Sequence, residues 1–170
     1  MENILELQQV SKTFSKSKFS LENVSFNLPY GAIMGFVGEN GAGKTTTIGC
    51  ILNTIKKDSG KIKLFGQEMS DADTDMREKI GVVYDGDNFP TYWTATQLAK
   101  VMAGFYKQWD NILFLKYLEE YKLPANQKIK QYSRGMTMKL AIAVALSHHP
   151  QLLILCFFQV HLWLLRNMIF

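Results

Sequence analysis

The run from Gly38 to Thr45, Gly-Glu-Asn-Gly-Ala-Gly-Lys-Thr, constrains this chain more than any other feature. It matches the P-loop pattern G-x-x-x-x-G-K-[ST] at every fixed position. Glycines let the backbone curl so that successive N–H groups point at phosphate oxygens, and the following helix adds the positive end of its dipole. The Lys44 ammonium would reach the β- and γ-phosphates, and the Thr45 hydroxyl would ligate Mg²⁺. The run predicts a nucleoside triphosphate site, with Mg-ATP as the expected ligand.

The residues around the loop predict that it connects a strand to a helix. Residues 32–37 form a short apolar run, typical of a strand buried on both faces of a sheet. A helix is predicted from Thr45 to Ile55. The expected nucleotide-binding residues are Gly38, Glu39, Asn40, Gly41, Ala42, Gly43, Lys44, Thr45 and Thr46.

The remaining pattern predicts an α/β fold with an antiparallel side sheet. Residues 5–7 and 24–28 alternate apolar and polar side chains, which predicts half-buried strands. Residues 80–84 and 152–155 are apolar runs of strand length. Between them Thr94, Asp110 and Ser133 each occupy a position where a side chain caps a helix. We therefore expect a helical subdomain at about residues 89–131, inserted into the core.

Composition narrows the function classes. The 170 residues are 47% hydrophobic and 20% charged with a net charge of +4, as in ordinary globular proteins. No basic stripe with interleaved aromatics stands out, so a nucleic-acid partner is not expected. Cys50 and Cys156 lack metal-ligand spacing, and no secretory signal opens the chain, which together predict reduced cytosolic thiols.

Beyond the loop, the order of elements resembles ABC-type ATPases along the first 155 residues. Residues 38–46 (GENGAGKTT) resemble the Walker A motif of that family. Phe14, in Val-Ser-Lys-Thr-Phe, occupies the position where the family has an aromatic that stacks on adenine. The alternative is that Phe14 is a core aromatic at the end of a strand.

A second resemblance lies before the last predicted helix. Tyr132-Ser133-Arg134-Gly135-Met136 occupies the place of the family's LSGGQ signature, although only Ser133 and Gly135 match it. The resemblance implies contact between Ser133 and the γ-phosphate of ATP held by another subunit. The alternative is that Ser133 is only a helix cap.

Two positions depart from the family. The glutamine of the family's Q-loop is replaced by Asp85, a carboxylate that can still ligate Mg²⁺ or position water. The strand 152–155 resembles Walker B, which should end in Asp-Glu, but Cys156 and Phe157 follow instead. Thiols are poor Mg²⁺ ligands, so no catalytic residue is assigned and the chain as written is expected to be deficient in hydrolysis.

Residues 156–170 form an aberrant tail, and three interpretations of it compete. Polar residues interrupt it too often for a membrane anchor, which needs about 20 mostly apolar residues. No helical or strand period continues after Phe158, which argues against a segment of the core. A reading-frame accident is the third interpretation. Ser-Gly and Pro-Val codons of the family, read one base late, would give Gln159-Val160 and Leu162-Trp163. The spacing between the two pairs is one residue shorter than in the family. The family's D-loop and switch histidine would lie beyond this point, and His148 and His149 are interpreted as surface residues instead.

The resemblance implies the cytosolic ATPase subunit of an ABC transporter, peripheral to the inner face of the membrane. It would work as a homo- or heterodimer beneath a transmembrane permease subunit. Its small size, the loop sequence and Asp85 resemble Gram-positive exporters of drugs or peptides. The residues 1–170 would be a single nucleotide-binding domain, incomplete at its C-terminus. The alternative is a non-hydrolysing nucleotide-binding fragment or pseudogene product. A soluble ABC protein of translation or repair would need a second cassette or coiled-coil arms.

Overall fold

Strands and helices alternate along the chain in a computed structural model that describes residues 2–15, 19–70, 73–86 and 88–156. They divide into two compact units, residues 1–77 and 78–170. The elements in chain order are β1 (Asn3–Thr13), β2 (Ser20–Pro29), α1 (Lys44–Ile51), β3 (Ser59–Leu64), α2 (Thr74–Glu78), β4 (Ile80–Tyr84), α3 (Ala95–Phe105), α4 (Asn111–Glu120), a 3₁₀ turn (Ile129–Gln131), α5 (Arg134–Leu146) and β5 (Leu152–Cys156).

The first unit contains an antiparallel sheet in the order β2-β1-β3. Leu7 lies opposite Phe26 of β2 and opposite Ile62 of β3. Leu5 and Leu7 are buried while Gln8 is exposed, as expected of strands with one face on a core. The predicted antiparallel side sheet and its alternating strands are confirmed.

The segment before the phosphate loop differs from the sequence prediction. Residues 32–37 form no strand, and each residue from 31 to 42 is exposed, including Val37 at 96% and Ile33 at 70%. A strand buried on both faces needs hydrogen-bonded neighbours and helices on either side. None of the strand pairs in the described part of the chain includes these residues, so the apolar run alone was an insufficient signal.

Two parallel strands, β4 and β5, pair in the second unit from Ile80 with Leu152 to Tyr84 with Cys156. This pairing confirms the strands predicted at 80–84 and 152–155. Because the strands are parallel, their carboxyl ends lie side by side. Asp85, directly after β4, donates its N–H to the carbonyl of Cys156 at 3.0 Å.

Three helices pack around a buried apolar cluster in the same unit. Leu98 of α3, Phe114 of α4 and Leu140 of α5 are fully buried there. Thr94 caps α3 in a reciprocal capping box with Gln97, as the sequence predicted. Asp110 likewise caps α4 by accepting the N–H of Leu113, and Ser133 caps α5.

His148 is buried, so its interpretation as a surface residue is wrong. It is only 2% exposed and its ring stacks on Tyr106, with centroids 4.0 Å apart. Its Nε2 lies 3.3 Å from the carbonyl oxygen of Ile80. Burial lowers the pKa of His148, since the charged ring would lose its hydration. Only the neighbouring His149 is exposed.

We expect the free energy of unfolding to fall as the pH drops below 6.5, the ordinary pKa of histidine. The folded state lowers the pKa of His148, so the unfolded chain binds the proton more readily and acid favours unfolding. Urea unfolding at about pH 7.5 and about pH 5.5 measures the loss, and His148→Gln should reduce it. If His148→Gln loses as much free energy of unfolding between the two pH values as wild type does, the assignment to His148 is contradicted.

Candidate functional site

The phosphate loop is shaped by two glycines with positive φ. Gly41 has φ +88° and Gly43 has φ +93°, values that residues with a Cβ rarely adopt. The N–H of Ala42 donates to the carbonyl of Glu39 at 3.1 Å, which closes a turn that contains Gly41. Gly43 is the N-cap of α1, and no side chain caps that helix end. The first N–H groups of α1 are therefore available to an anion.

The Lys44 ammonium is held by the loop itself. Its Nζ donates to the carbonyl oxygens of Gly38 at 2.6 Å and of Glu39 at 2.7 Å. These are the distances of charge-assisted hydrogen bonds. The charge is thus kept within a loop whose residues 38–42 are exposed, and phosphate oxygens can replace the carbonyls as its acceptors.

The residues after Lys44 differ in burial: Thr45 is open to solvent, whereas Thr47 is buried and bonds to the loop. Thr45 is exposed on the first turn of α1, and Thr46 is half-buried. Thr47 is buried, and both its N–H and its hydroxyl donate to the carbonyl of Gly43, at 2.8 Å and 3.0 Å. Sequence reasoning missed this support, although a threonine one turn into a helix is a recognisable source of such bonds.

The predicted adenine platform, Phe14, is half-buried just beyond the end of β1. Its ring lies 6.3 Å from that of Phe19, and the Lys12 ammonium lies 5.7 Å from its centroid. Asp58 fixes the end of the strand, because it accepts from the Lys12 ammonium at 2.7 Å and from the Thr13 N–H at 2.8 Å. The bond from Lys12 is also the main reason that the pKa of Asp58 lies below its usual value.

In the second unit the structure joins two predicted positions directly. Nη2 of Arg134 lies 2.9 Å from both carboxylate oxygens of Asp85. The Arg134 side chain is 82% exposed whereas that of Asp85 is 13% exposed. The Q-loop position is thereby tied to the signature position. Sequence reasoning did not predict this pair, because its members are 49 residues apart.

Ser133 has the geometry of a helix cap. Its hydroxyl oxygen accepts the N–H of Met136 at 3.3 Å, and its carbonyl accepts the N–H of Thr137 at 2.9 Å. Ser133, Arg134 and Gly135 are exposed and Met136 is half-buried.

Cys156 ends β5 at the position where a Walker B aspartate is expected. Its side chain is half-buried, and burial raises the pKa of its thiol above the usual value. Burial therefore favours the neutral thiol over the thiolate, which is the form that ligates metals. Phe157 lies outside the described residues, as does the rest of the tail. Among residues 2–15, 19–70, 73–86 and 88–156 no three His, Cys, Asp or Glu side chains converge as a metal site would require.

Comparison with known proteins gives the family. Residues 21–155 match the model of the ABC transporter family, and this chain belongs to that family. It is similar to the bacitracin transport ATP-binding protein BcrA of Bacillus licheniformis, with 33% identity over 91% of this chain and 51% of that protein. It is also similar to the methionine import ATP-binding protein MetN 1 of Listeria innocua, with 34% identity over 89% of this chain and 48% of the relative. The chain thus spans about half the length of these relatives.

Solved structures agree on the fold. The chain is similar to an ATP-binding subunit of an ABC transporter, with a TM-score of 0.78, 24% identity, and coverage of 89% of this chain and 65% of that one. It is similar to a dimeric ATP-binding cassette bound to ADP and Pi in a post-hydrolysis state, with a TM-score of 0.74, 24% identity, and coverage of 89% and 72%. The fold is that of an ABC nucleotide-binding domain, a P-loop α/β core with an antiparallel side sheet.

Within the described ranges, none of the helices combines the length and the apolar character that crossing a membrane requires.

The ion pair between Arg134 and Asp85 should be measurable as a coupling energy. Unfolding of Asp85→Asn, Arg134→Gln and the double variant should give a coupling of up to about 1 kcal/mol, because one partner is exposed. High salt should reduce it. Lys116→Gln removes an exposed charge from α4 and should not couple to Asp85→Asn. Additive effects of the two principal changes would show that the pair contributes nothing.

Proposed function

We propose that this chain binds ATP through the loop from Gly38 to Thr46. The observation that carries the proposal is the uncapped N-terminus of α1 beside a lysine whose partners are loop carbonyls. The loop supplies N–H donors and one cation, which are the groups that a triphosphate needs. Phe14, at the end of β1, would provide a flat apolar surface for the adenine.

Mg²⁺ fits the residue types of the proposed site. The exposed Thr45 would hold it through its hydroxyl. When bound, the metal neutralises charge on the β- and γ-phosphates.

We propose that the chain serves as the ATP-binding subunit of an ABC transporter. Family membership and the dimeric cassette among its structural neighbours support a second nucleotide-binding subunit, and a transmembrane permease would be the other partner. Residues 1–170 would form one nucleotide-binding domain at the inner face of the membrane, with a helical subdomain at 89–131. An export role is favoured by BcrA and by the loop sequence, while MetN 1 represents import.

The second candidate function is nucleotide binding without hydrolysis. Cys156, at the end of β5, supplies a protonated thiol where the family has a carboxylate. Phosphoryl transfer to water depends on a held metal and an oriented water. The ground state would keep the contacts of Lys44 and Thr45, whereas the transition state would lack its carboxylates.

Lys44→Ala should weaken ATP binding below detection at micromolar nucleotide. Each hydrogen bond lost from a charged group costs about 1.5–3 kcal/mol, and this variant removes the side-chain cation of the loop. A fluorescent-ATP titration measures the affinity. Lys61→Ala removes the same charge from an exposed position on β3 and is the control. Unchanged affinity in the Lys44 variant would refute the proposed site.

The chain should release phosphate from ATP no faster than background. A steady-state phosphate-release assay on monodisperse protein measures this, with Lys44→Ala as the blank. Restoring the acidic pair by Cys156→Asp together with Phe157→Glu should raise turnover, because carboxylates return to the family's positions. Turnover in the unmodified chain that Lys44→Ala abolishes would show that it is a working ATPase.

A further inference from the structure

The last glycine of the phosphate loop packs against the start of β2. A Cβ built on Gly43 would lie 2.8 Å from Cδ1 of Leu21 and 3.1 Å from Cζ of Phe19. Real Cβ atoms essentially never lie as close as the first distance. These two side chains therefore occupy the space that a Cβ at Gly43 would need. Leu21 is buried and Phe19 is half-buried.

This contact bears on phosphate binding because Gly43 determines where α1 begins. It holds the left-handed conformation, with φ +93°, at a helix start that has no side-chain cap. Lys44 follows it directly. A glycine has more conformational freedom than any other residue, so the conformation that aims these donors must be held by neighbouring side chains. Thr47 holds it from the helix side, and Phe19 and Leu21 hold it from the sheet side.

The support is itself rigidly attached. Ser20 and Leu21 of β2 pair with Thr13 and Lys12 of β1. Lys12 and Thr13 are bonded to Asp58. Phe19 therefore stands at the end of a strand pair that is fixed on its other side, and its ring also contacts Phe14 at 6.3 Å between centroids.

We infer that Phe19 is a positioning residue for the phosphate site, acting through Gly43. It holds the loop and the start of α1 in the shape that receives the triphosphate, whereas Phe14 serves the base. This inference rests on the proposed nucleotide site and assigns it a residue that the family resemblance did not indicate. Phe14 and Phe19 are thus assigned to different parts of the ligand, Phe14 to the base and Phe19 to the triphosphate.

The test compares ATP with inorganic tripolyphosphate, which has the phosphates but no base, as magnesium complexes binding to the full chain. Phe19→Ala should lower the affinity for tripolyphosphate several-fold and the affinity for ATP by at least the same factor, since its ring also contacts Phe14. Phe14→Ala should lower the affinity for ATP by roughly 5- to 150-fold, the usual scale of base–aromatic stacking, and leave the affinity for tripolyphosphate unchanged. Phe19→Leu keeps apolar contact with Gly43 and should show a smaller loss for both ligands.

Thermal unfolding of each variant separates positioning from stability. A purely structural Phe19 would lower the melting temperature and leave both affinities unchanged, which would overturn the inference. Loss of ATP affinity alone in Phe19→Ala would also overturn it, because Phe19 would then be a base contact. If Phe19→Ala does not fold, the comparison of wild type with Phe19→Leu decides by the same criteria.

Failure of the proposed site has a different signature. In that case wild-type protein binds neither ligand, or Lys44→Ala binds both as tightly as wild type does. Binding that requires Lys44 but is unaffected by Phe19 leaves the site standing and removes only the role of Phe19.

Discussion

The left-handed conformation of Gly43 determines how α1 begins. No side chain caps this helix start, so its N–H groups are left to an outside acceptor. Lys44 comes next in the chain, and its ammonium turns back to two carbonyls of the loop. The antiparallel sheet contributes through the start of β2, whose side chains leave no room for a Cβ at Gly43. The loop's chemistry thus depends on packing as well as on its own glycines.

The second unit depends on the parallel pairing of β4 with β5. That register places Asp85 beside Cys156 and within reach of Arg134 at the start of α5. Three positions for which the family resemblance predicts a functional role therefore lie close together. Here they carry a carboxylate tied to an arginine, and a protonated thiol.

Local signals were enough to predict much of this structure. The caps at Thr94 and Asp110 and the strands at 80–84 and 152–155 follow from short stretches of sequence. The errors and omissions are non-local. Residues 32–37 lack the strand partners that would make them a strand, and His148 is buried by Tyr106, which is distant in sequence. The pairing of Arg134 with Asp85 and the packing of Phe19 on Gly43 likewise join residues that no sequence pattern connects.

The most direct test of the central claim follows the Lys44 ammonium itself. Nitrogen-15 spectra of the lysine side chains, recorded as Mg-ATP is added, report the partners of each ammonium. We expect the Lys44 signal to shift and then saturate, together with the signals of the backbone amides of residues 41–46, as phosphate oxygens replace the carbonyls of Gly38 and Glu39. Signals from Lys44 and the loop that stay unchanged at high nucleotide would contradict the account.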